Sequence, residues 1–269
     1  HNARVIVIYA YLDPGLMDAS SFQLSDSLSF PSASTEMLEV EEAHADERIA
    51  NERMEKFADE LRTRIASSQL PDVKFDTIVS EGLPEEVISQ ANSKEHPLLI
   101  VMGSNSDNEE RRALTGSIAG EVLNAAESTI LTLPLNTTVD LTSPLHVAFF
   151  SNSRQDDILA LDTFARLFPK VKIDVTLVEL PSRRGRNGEG GKNLLDYCRE
   201  NFPEIKFESM SLSSDHPEAD FEHLNEIHPV DFIVTPNRRK NVIARLFSPT
   251  LAHRLLFRSS LPLLAISLE

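Results

Sequence analysis

An internal repeat without gaps constrains the fold of this chain more than any other feature of its sequence. VMGSNSDNEERRALTGSIAGEVL, which begins at Val101, aligns without insertion on VTPNRRKNVIARLFSPTLAHRLL, which begins at Val234. In both copies a short apolar run ends, a polar loop follows, and an apolar-periodic segment begins. This pattern is typical of a buried parallel strand, a turn and a helix N-terminus. The repeat therefore predicts two copies of one α/β unit.

Short apolar runs alternate with segments of helical periodicity throughout the chain. The strands predicted from these runs are residues 4–11, 73–79, 98–102, 129–133, 146–150, 171–180, 205–210, 231–234 and 263–267. The predicted helices are residues 36–65, 85–92, 155–168, 192–201, 217–227 and 248–257, with one more beginning at Gly116. Such alternation predicts doubly wound, Rossmann-like domains with parallel sheets.

A polar segment with several turn-forming residues, NTTVDLTSP at residues 136–144, separates the two copies. A chain of 269 residues is long enough for two ordinary domains. We therefore predict one domain at residues 1–138 and a second at residues 144–269. Residues 17–34, which are rich in serine, are predicted to form a loop.

The composition excludes several classes of protein. A net charge of −16 argues against general binding of nucleic acid, which needs a basic surface. No apolar run approaches the roughly 18 residues that span a bilayer, and no secretory signal is visible. The single cysteine, Cys198, excludes an internal disulfide and favours a reducing compartment, so we expect a cytoplasmic protein. Cys198 lies in a predicted helix and is interpreted as a buried structural thiol.

The loop of the first copy carries a nucleotide-binding pattern. Gly103 is followed after two residues by Ser106, and after nine more by Gly116 and Ser117. This spacing resembles the motif of the universal stress protein family: glycine, two residues, glycine, nine residues, glycine, then serine or threonine. Ser106 replaces the second glycine. A helix N-terminus with small residues is suited to binding an anion.

The resemblance to a tandem universal stress protein covers nearly the whole chain, and it implies a fold like that of the adenine nucleotide alpha hydrolases. It also implies an ATP site in the first domain, in which the loop holds the ribose and phosphates and two strand ends line the adenine. The residues assigned to this cofactor site by the resemblance are Ala10, Met102, Gly103, Ser106, Gly116, Ser117 and Ile118.

Two functions are compatible with this pattern. The chain is either a non-enzymatic interaction scaffold in the stress response or an ATP-binding regulator with slow hydrolysis. The second copy has Pro236 and Pro249 where the first has glycines, and proline provides no backbone N–H for a phosphate. In the first copy, Asp107 and neighbouring acids would repel phosphate, although two arginines partly offset them.

We expect no catalytic residue and no metal site. His44 stands among acids of a predicted helix, and His216, His223 and His228 surround another, but none has a second ligand at the usual spacing. The glycine- and arginine-rich segment SRRGRNGEGGKN, residues 182–193, has the wrong register for a phosphate-binding loop. We interpret this segment as an exposed connection.

The resemblance makes two further predictions about strands. The family's strand order is 3-2-1-4-5, and RVIVIYAY at residues 4–11 matches strand two, so strand one and its adenine-contacting Asp have no counterpart in the first half. We expect a preceding segment or a partner chain to supply that strand; in the second half, Ser151 stands at the position of the Asp. Family members associate along their last strands, so we expect residues 129–133 and 263–267 to pair, or to mediate self-association or binding of a protein partner.

Overall fold

The chain folds into two compact α/β units, residues 1–93 and residues 94–269. The computed structural model describes residues 4–12, 33–67, 73–103, 122, 128–134, 137, 143–151, 155–169, 171–179, 189–213, 216–237 and 261–268.

The first unit contains a two-stranded parallel sheet. Strand β1 (Val5–Tyr11) pairs with β2 (Phe75–Glu81), and the helices are α1 (Ala33–Ser67) and α2 (Pro84–Glu95). Helix α1 buries small and apolar side chains at a spacing of four residues, which gives it one apolar face: Ala50, Met54 and Ala58.

The second unit contains a seven-stranded sheet with the order β3-β4-β9-β8-β5-β6-β7. Its strands are β3 (Leu99–Gly103), β4 (Thr129–Leu133), β5 (Leu145–Ser151), β6 (Ile173–Glu179), β7 (Lys206–Ser211), β8 (Phe232–Asn237) and β9 (Leu263–Ser267). Its helices are α3 (Gln155–Leu167), α4 (Glu189–Asn201) and α5 (Pro217–Ile227). All neighbouring strands run parallel except β4 and β9, which are antiparallel.

The core of the second unit lies on both faces of this sheet. Along β5, Val147 and Phe149 pack in one apolar cluster with residues of α3 and α4. Ala148 and Phe150 pack in a second cluster with residues of α5. Alternate residues of a strand point to opposite faces, so a central strand covered by helices on both sides must be apolar at consecutive positions.

The strand pairing confirms two predictions made from the sequence. The second half has the order β7-β6-β5-β8-β9, which is the predicted 3-2-1-4-5. The last strands of the two halves pair antiparallel, with Leu131 opposite Leu264. The repeat also keeps its register, because Gly103 is opposite Leu133 in one copy and Pro236 is opposite Ile266 in the other.

Two predicted boundaries are wrong in informative ways. Helix α4 begins at Glu189, inside the segment interpreted as a loop, and an acidic residue at a helix N-terminus is favoured by the helix dipole. Strand β8 continues past its predicted end at Val234, through Pro236, to Asn237. The missing N–H of Pro236 is tolerated because β5 pairs with β8 only as far as Val234.

The compact units divide the chain at a different place from the predicted domains. Because β4 pairs with β9, strands β3 and β4 belong to the same unit as the whole second half. The assignment of residues 1–138 and 144–269 as two domains stays a prediction. Several predicted segments lie outside the described residues, namely most of the loop at 17–34, most of the helix that begins at Gly116, residues 182–188 and the helix at 248–257.

We predict that the buried β4 strand, and not the exposed β3 edge, stabilises the sheet. Ile130 is 0% exposed, so Ile130→Ala should lower the free energy of unfolding by about 2–5 kcal/mol. Leu98, which directly precedes β3 and is 86% exposed, is the control, and Leu98→Ala should change the free energy of unfolding by less than about 0.5 kcal/mol. Urea denaturation of both variants measures this difference, and equal effects would contradict it.

Candidate functional site

Of the candidate nucleotide loop in the first half, the structure describes the beginning, at the end of strand β3. Met102 is half-buried, Gly103 is exposed, and both lie at the carboxyl end of a parallel strand, where ligands of open α/β sheets bind. A Cβ atom added to Gly103 would meet no other atom within 4 Å. The approach to this strand end is therefore open in the part of the chain that the structure describes.

Of the other predicted site residues, the structure describes one. Ala10 is a half-buried residue of β1, opposite Ser80 of β2, and belongs to the other compact unit. Ser106, Gly116, Ser117 and Ile118 lie outside the described residues. The grouping of these seven residues into one ATP site stays a prediction.

The second half holds a buried hydrogen bond at the end of its central strand. Ser151 ends the central strand β5, and its Oγ donates to Asp157 Oδ2 at 2.7 Å. Both residues are 0% exposed. Asp157 belongs to the first turn of α3, so the carboxylate at this strand end comes from the helix and not from the strand.

The role of Asp157 was not predicted from the sequence. An acid near the start of a helix is normally explained by the helix dipole and by solvent. The distance of six residues from the end of a buried strand was the signal that could have indicated a different role, because the strand and the helix that follows it pack against each other. Ser151 itself was identified as a substitution for the family's Asp, and the structure shows what its hydroxyl group binds.

Cys198 is buried in helix α4, as predicted. Burial raises the pKa of its thiol to about 11, and the nearby charge of Asp157 contributes in the same direction. A thiol with such a pKa is protonated at neutral pH, and the protonated form is a weak nucleophile and a weak metal ligand.

Four histidines of the second unit lie in helix α5, at its two ends, or in contact with one of those ends: His146, His216, His223 and His228. His146 and His228 contact edge to face with ring centroids 5.2 Å apart. His223 Nδ1 lies 3.8 Å from Glu226 Oε2 on an exposed face of α5, and His216 is exposed before the helix begins. Among the described residues, no three His, Cys, Asp or Glu side chains are arranged to hold a metal ion.

The strand order and the position of these strand ends define an α/β protein with the Rossmann-like fold of universal stress proteins. The sequence model of the Universal stress protein family matches residues 18–134. No curated protein sequence has significant similarity to the chain. Within the described residues, no helix is long and apolar enough to cross a membrane.

Solved structures share this fold at low sequence identity. A universal stress protein from Archaeoglobus fulgidus is 17% identical with a TM-score of 0.61, over 82% of this chain and 78% of the other. A functionally unknown protein from Pseudomonas aeruginosa is 11% identical with a TM-score of 0.51, over 98% of this chain and 92% of the other. At these identities, the likeness shows the fold alone.

We predict that the Ser151 hydroxyl group stabilises the second unit. Ser151→Ala removes a donor from a fully buried carboxylate and should lower the free energy of unfolding by about 1–3 kcal/mol. The control is Ser209, an exposed serine on β7, and Ser209→Ala should change the free energy of unfolding by less than about 0.5 kcal/mol. If chemical denaturation gives Ser151→Ala the same stability as Ser209→Ala, the hydrogen bond has no structural role.

We predict that Cys198 is unreactive in the native protein. At pH 8 a thiol with a pKa of about 11 has roughly 10²-fold less thiolate than an unfolded cysteine. Labelling by a chromogenic disulfide should therefore be at least about 10²-fold slower in the native chain than in urea. As long as the pH stays below the pKa, the labelling rate of the native chain should rise about tenfold for each unit by which the pH is increased. Native labelling as fast as that in urea would show that the thiol is neither buried nor shifted.

Proposed function

We propose that the chain is a tandem universal stress protein that acts in the stress response as a non-enzymatic interaction scaffold. The observation that carries this proposal is the antiparallel pairing of β4 with β9, which joins the last strands of both halves in one sheet. Self-association of family members was expected at these last strands, but here the two strands pair with each other inside one chain. The rest of the sheet then acts as a rigid support for surfaces that bind other molecules.

The second half supports a scaffold more than a nucleotide site. Its central strand ends in a serine whose hydroxyl group binds Asp157 inside the protein. Pro236 stands at the position of Gly103 and provides no backbone donor for a phosphate. The family match at residues 18–134 supports the stress-response role, and the repeat without gaps supports the tandem arrangement.

ATP binding to the first half is the second candidate, and the open carboxyl end of β3 favours it. A Cβ on Gly103 would meet no atom of the described residues within 4 Å, which leaves room beside this backbone for a ligand. Gly103 would contribute a backbone that a phosphate or ribose can approach closely, and Met102 would contribute an apolar surface for the adenine. The alternative assigns slow hydrolysis to this site, but no described residue is placed to activate water there.

Thermal unfolding with and without ATP separates the two functions. The scaffold proposal expects no change in melting temperature. ATP at about 100 times its dissociation constant would instead add about 2.7 kcal/mol of stability, a shift of roughly 5–10 °C for a protein of this size. A saturable shift in that range, specific to adenine nucleotides, would favour the second candidate.

Two matched variants assign any such shift to one half of the chain. Gly116→Pro removes a backbone donor from the first-half motif, whereas Thr250→Ala changes the aligned region of the second half. We expect Gly116→Pro to abolish an ATP-dependent shift and Thr250→Ala to preserve it. Isothermal titration calorimetry that finds equal ATP binding in both variants would overturn the assignment to the first half.

A further inference from the structure

The ladder that joins the two halves of the chain has a local two-fold symmetry. Continued without a gap, the repeat that aligns Val101 with Val234 also aligns Leu131 with Leu264. These two leucines are opposite each other in the β4–β9 ladder. A residue that faces its own repeat counterpart lies beside a two-fold axis, so the last strands meet as one surface meets itself in a symmetric dimer. Each contact at one end of the ladder therefore has an equivalent position at the other end.

The two ends of the ladder carry different residues at these equivalent positions. At one end, the Ser267 N–H donates to Thr129 Oγ1 at 3.2 Å. The repeat counterparts of Thr129 and Ser267 are Pro262 and Pro134, which flank the other end of the ladder. Proline has neither a backbone N–H nor a hydroxyl group, so this end lacks the corresponding hydrogen bond. One end is thus bonded through a side chain, and the other is apolar.

Two other contacts of the ladder do not depend on which strand pairs with which. Leu131 and Leu264 are the same residue type, so the centre of the ladder is leucine against leucine in any combination. Thr132 Oγ1 donates to the Leu263 carbonyl at 3.5 Å, and either strand has a backbone carbonyl at that place. Among the side-chain hydrogen bonds of the described ladder, the one between Thr129 and Ser267 is therefore what distinguishes the strands.

Pairing of like strands would separate this donor from this acceptor. In a ladder of two β9 strands, the Ser267 N–H of each would face Pro262 of the other, which offers no side-chain acceptor. In a ladder of two β4 strands, the Thr129 hydroxyl group would face Pro134, which offers no N–H. Thr129 is only 5% exposed, so water replaces a lost partner poorly there. Only the pairing of β4 with β9 combines donor with acceptor and proline with proline.

We propose that the Thr129–Ser267 hydrogen bond makes the last strands selective: β4 fits the β9 strand of this chain or of a second copy, and neither strand fits its own kind. Two copies that associate here then do so by exchanging halves, and they form a closed dimer with two β4–β9 ladders. Open assemblies through like strands are excluded. This inference rests on the same strand pairing as the proposed scaffold, and it adds which partner the last strands accept.

The test forces the last strands to pair between copies. The carboxyl end of β4 and the amino end of β5 lie at the same edge of the sheet, three strand spacings or about 14 Å apart. Deletion of residues 135–143 leaves only Pro134 and Pro144 between these strands, and three Cα–Cα steps reach at most about 11 Å. The shortened chain cannot close its own ladder, so it should form a dimer, which light scattering detects by its mass.

Single cysteines identify the strands that pair in this dimer. Leu131→Cys would be opposite itself in a like ladder, and so would Leu264→Cys, whereas in an unlike ladder they are opposite each other. Under a mild oxidant, we expect a disulfide only when the two variants of the shortened chain are refolded together, and none with either variant alone. Cys198 is buried and is the same background in all samples.

Removal of the Thr129 hydroxyl group should weaken the dimer twice, because the dimer contains two ladders. Thr129→Val keeps the shape and removes the acceptor, so the dissociation constant should rise at least about 25-fold, about fivefold for each ladder. Thr129→Ser keeps the hydroxyl group and is the matched control. In the uncut chain, hydrogen exchange of the Ser267 amide should be faster in Thr129→Val and unchanged in Thr129→Ser.

A double-mutant cycle in the uncut chain tests the same symmetry if the shortened chain does not fold. Pro262→Thr adds an acceptor and Pro134→Ala adds an N–H at the apolar end of the ladder, so only the double variant completes a second hydrogen bond. Its unfolding equilibrium constant in urea should be at least about fivefold smaller than the two single variants predict together.

Four results would overturn the inference. These are a disulfide with either cysteine variant alone, a folded shortened chain that stays monomeric, equal dissociation constants for Thr129→Val and Thr129→Ser, and strictly additive effects in the double-mutant cycle. None of these results depends on ATP, so this inference and the thermal test of the proposed function fail separately.

Discussion

The antiparallel ladder between β4 and β9 is the interaction on which the large sheet depends. Both strands are buried along most of their length, and each would otherwise present a row of unpaired backbone groups at a sheet edge. Side chains reinforce the ladder, since Thr129 Oγ1 accepts a hydrogen bond from the Ser267 N–H at 3.2 Å. The ladder also places the charged strand β7 at one end of the sheet and the apolar strand β3 at the other.

The sequence predicted the strands well because their physical requirements are local. The bounds of β4 and β9 agree residue for residue with the apolar runs at 129–133 and 263–267. The resemblance to the universal stress protein family implied the strand order of the second half and, together with the repeat, the pairing of the two last strands. Parallel strands buried on both faces leave a continuous apolar signal, so the strands could be located from the sequence alone, but their order could not.

Features that depend on tertiary contacts were not predictable in this way. The continuation of β8 through Pro236 depends on where β5 stops pairing, which no local pattern records. The burial of Asp157 depends on its partner Ser151, six residues away on another element. The candidate ATP site, which the family resemblance implies, stays a prediction, because the structure describes only Ala10, Met102 and Gly103 of its residues.

For function, the two halves of the repeat have diverged in different directions. The second half has a complete set of five strands, and its central strand ends in an internal serine–aspartate hydrogen bond. The first half keeps the glycine-containing motif but has two strands with open edges among the described residues.

A double-mutant cycle between Leu131 and Leu264 tests the central claim most directly. These residues are opposite each other in the β4–β9 ladder and belong to the same buried cluster. If the last strands of the two halves pair as described, the double alanine variant should show a coupling energy of about 0.5–1 kcal/mol or more relative to the two single variants. Strictly additive effects on the free energy of unfolding would contradict the joined sheet.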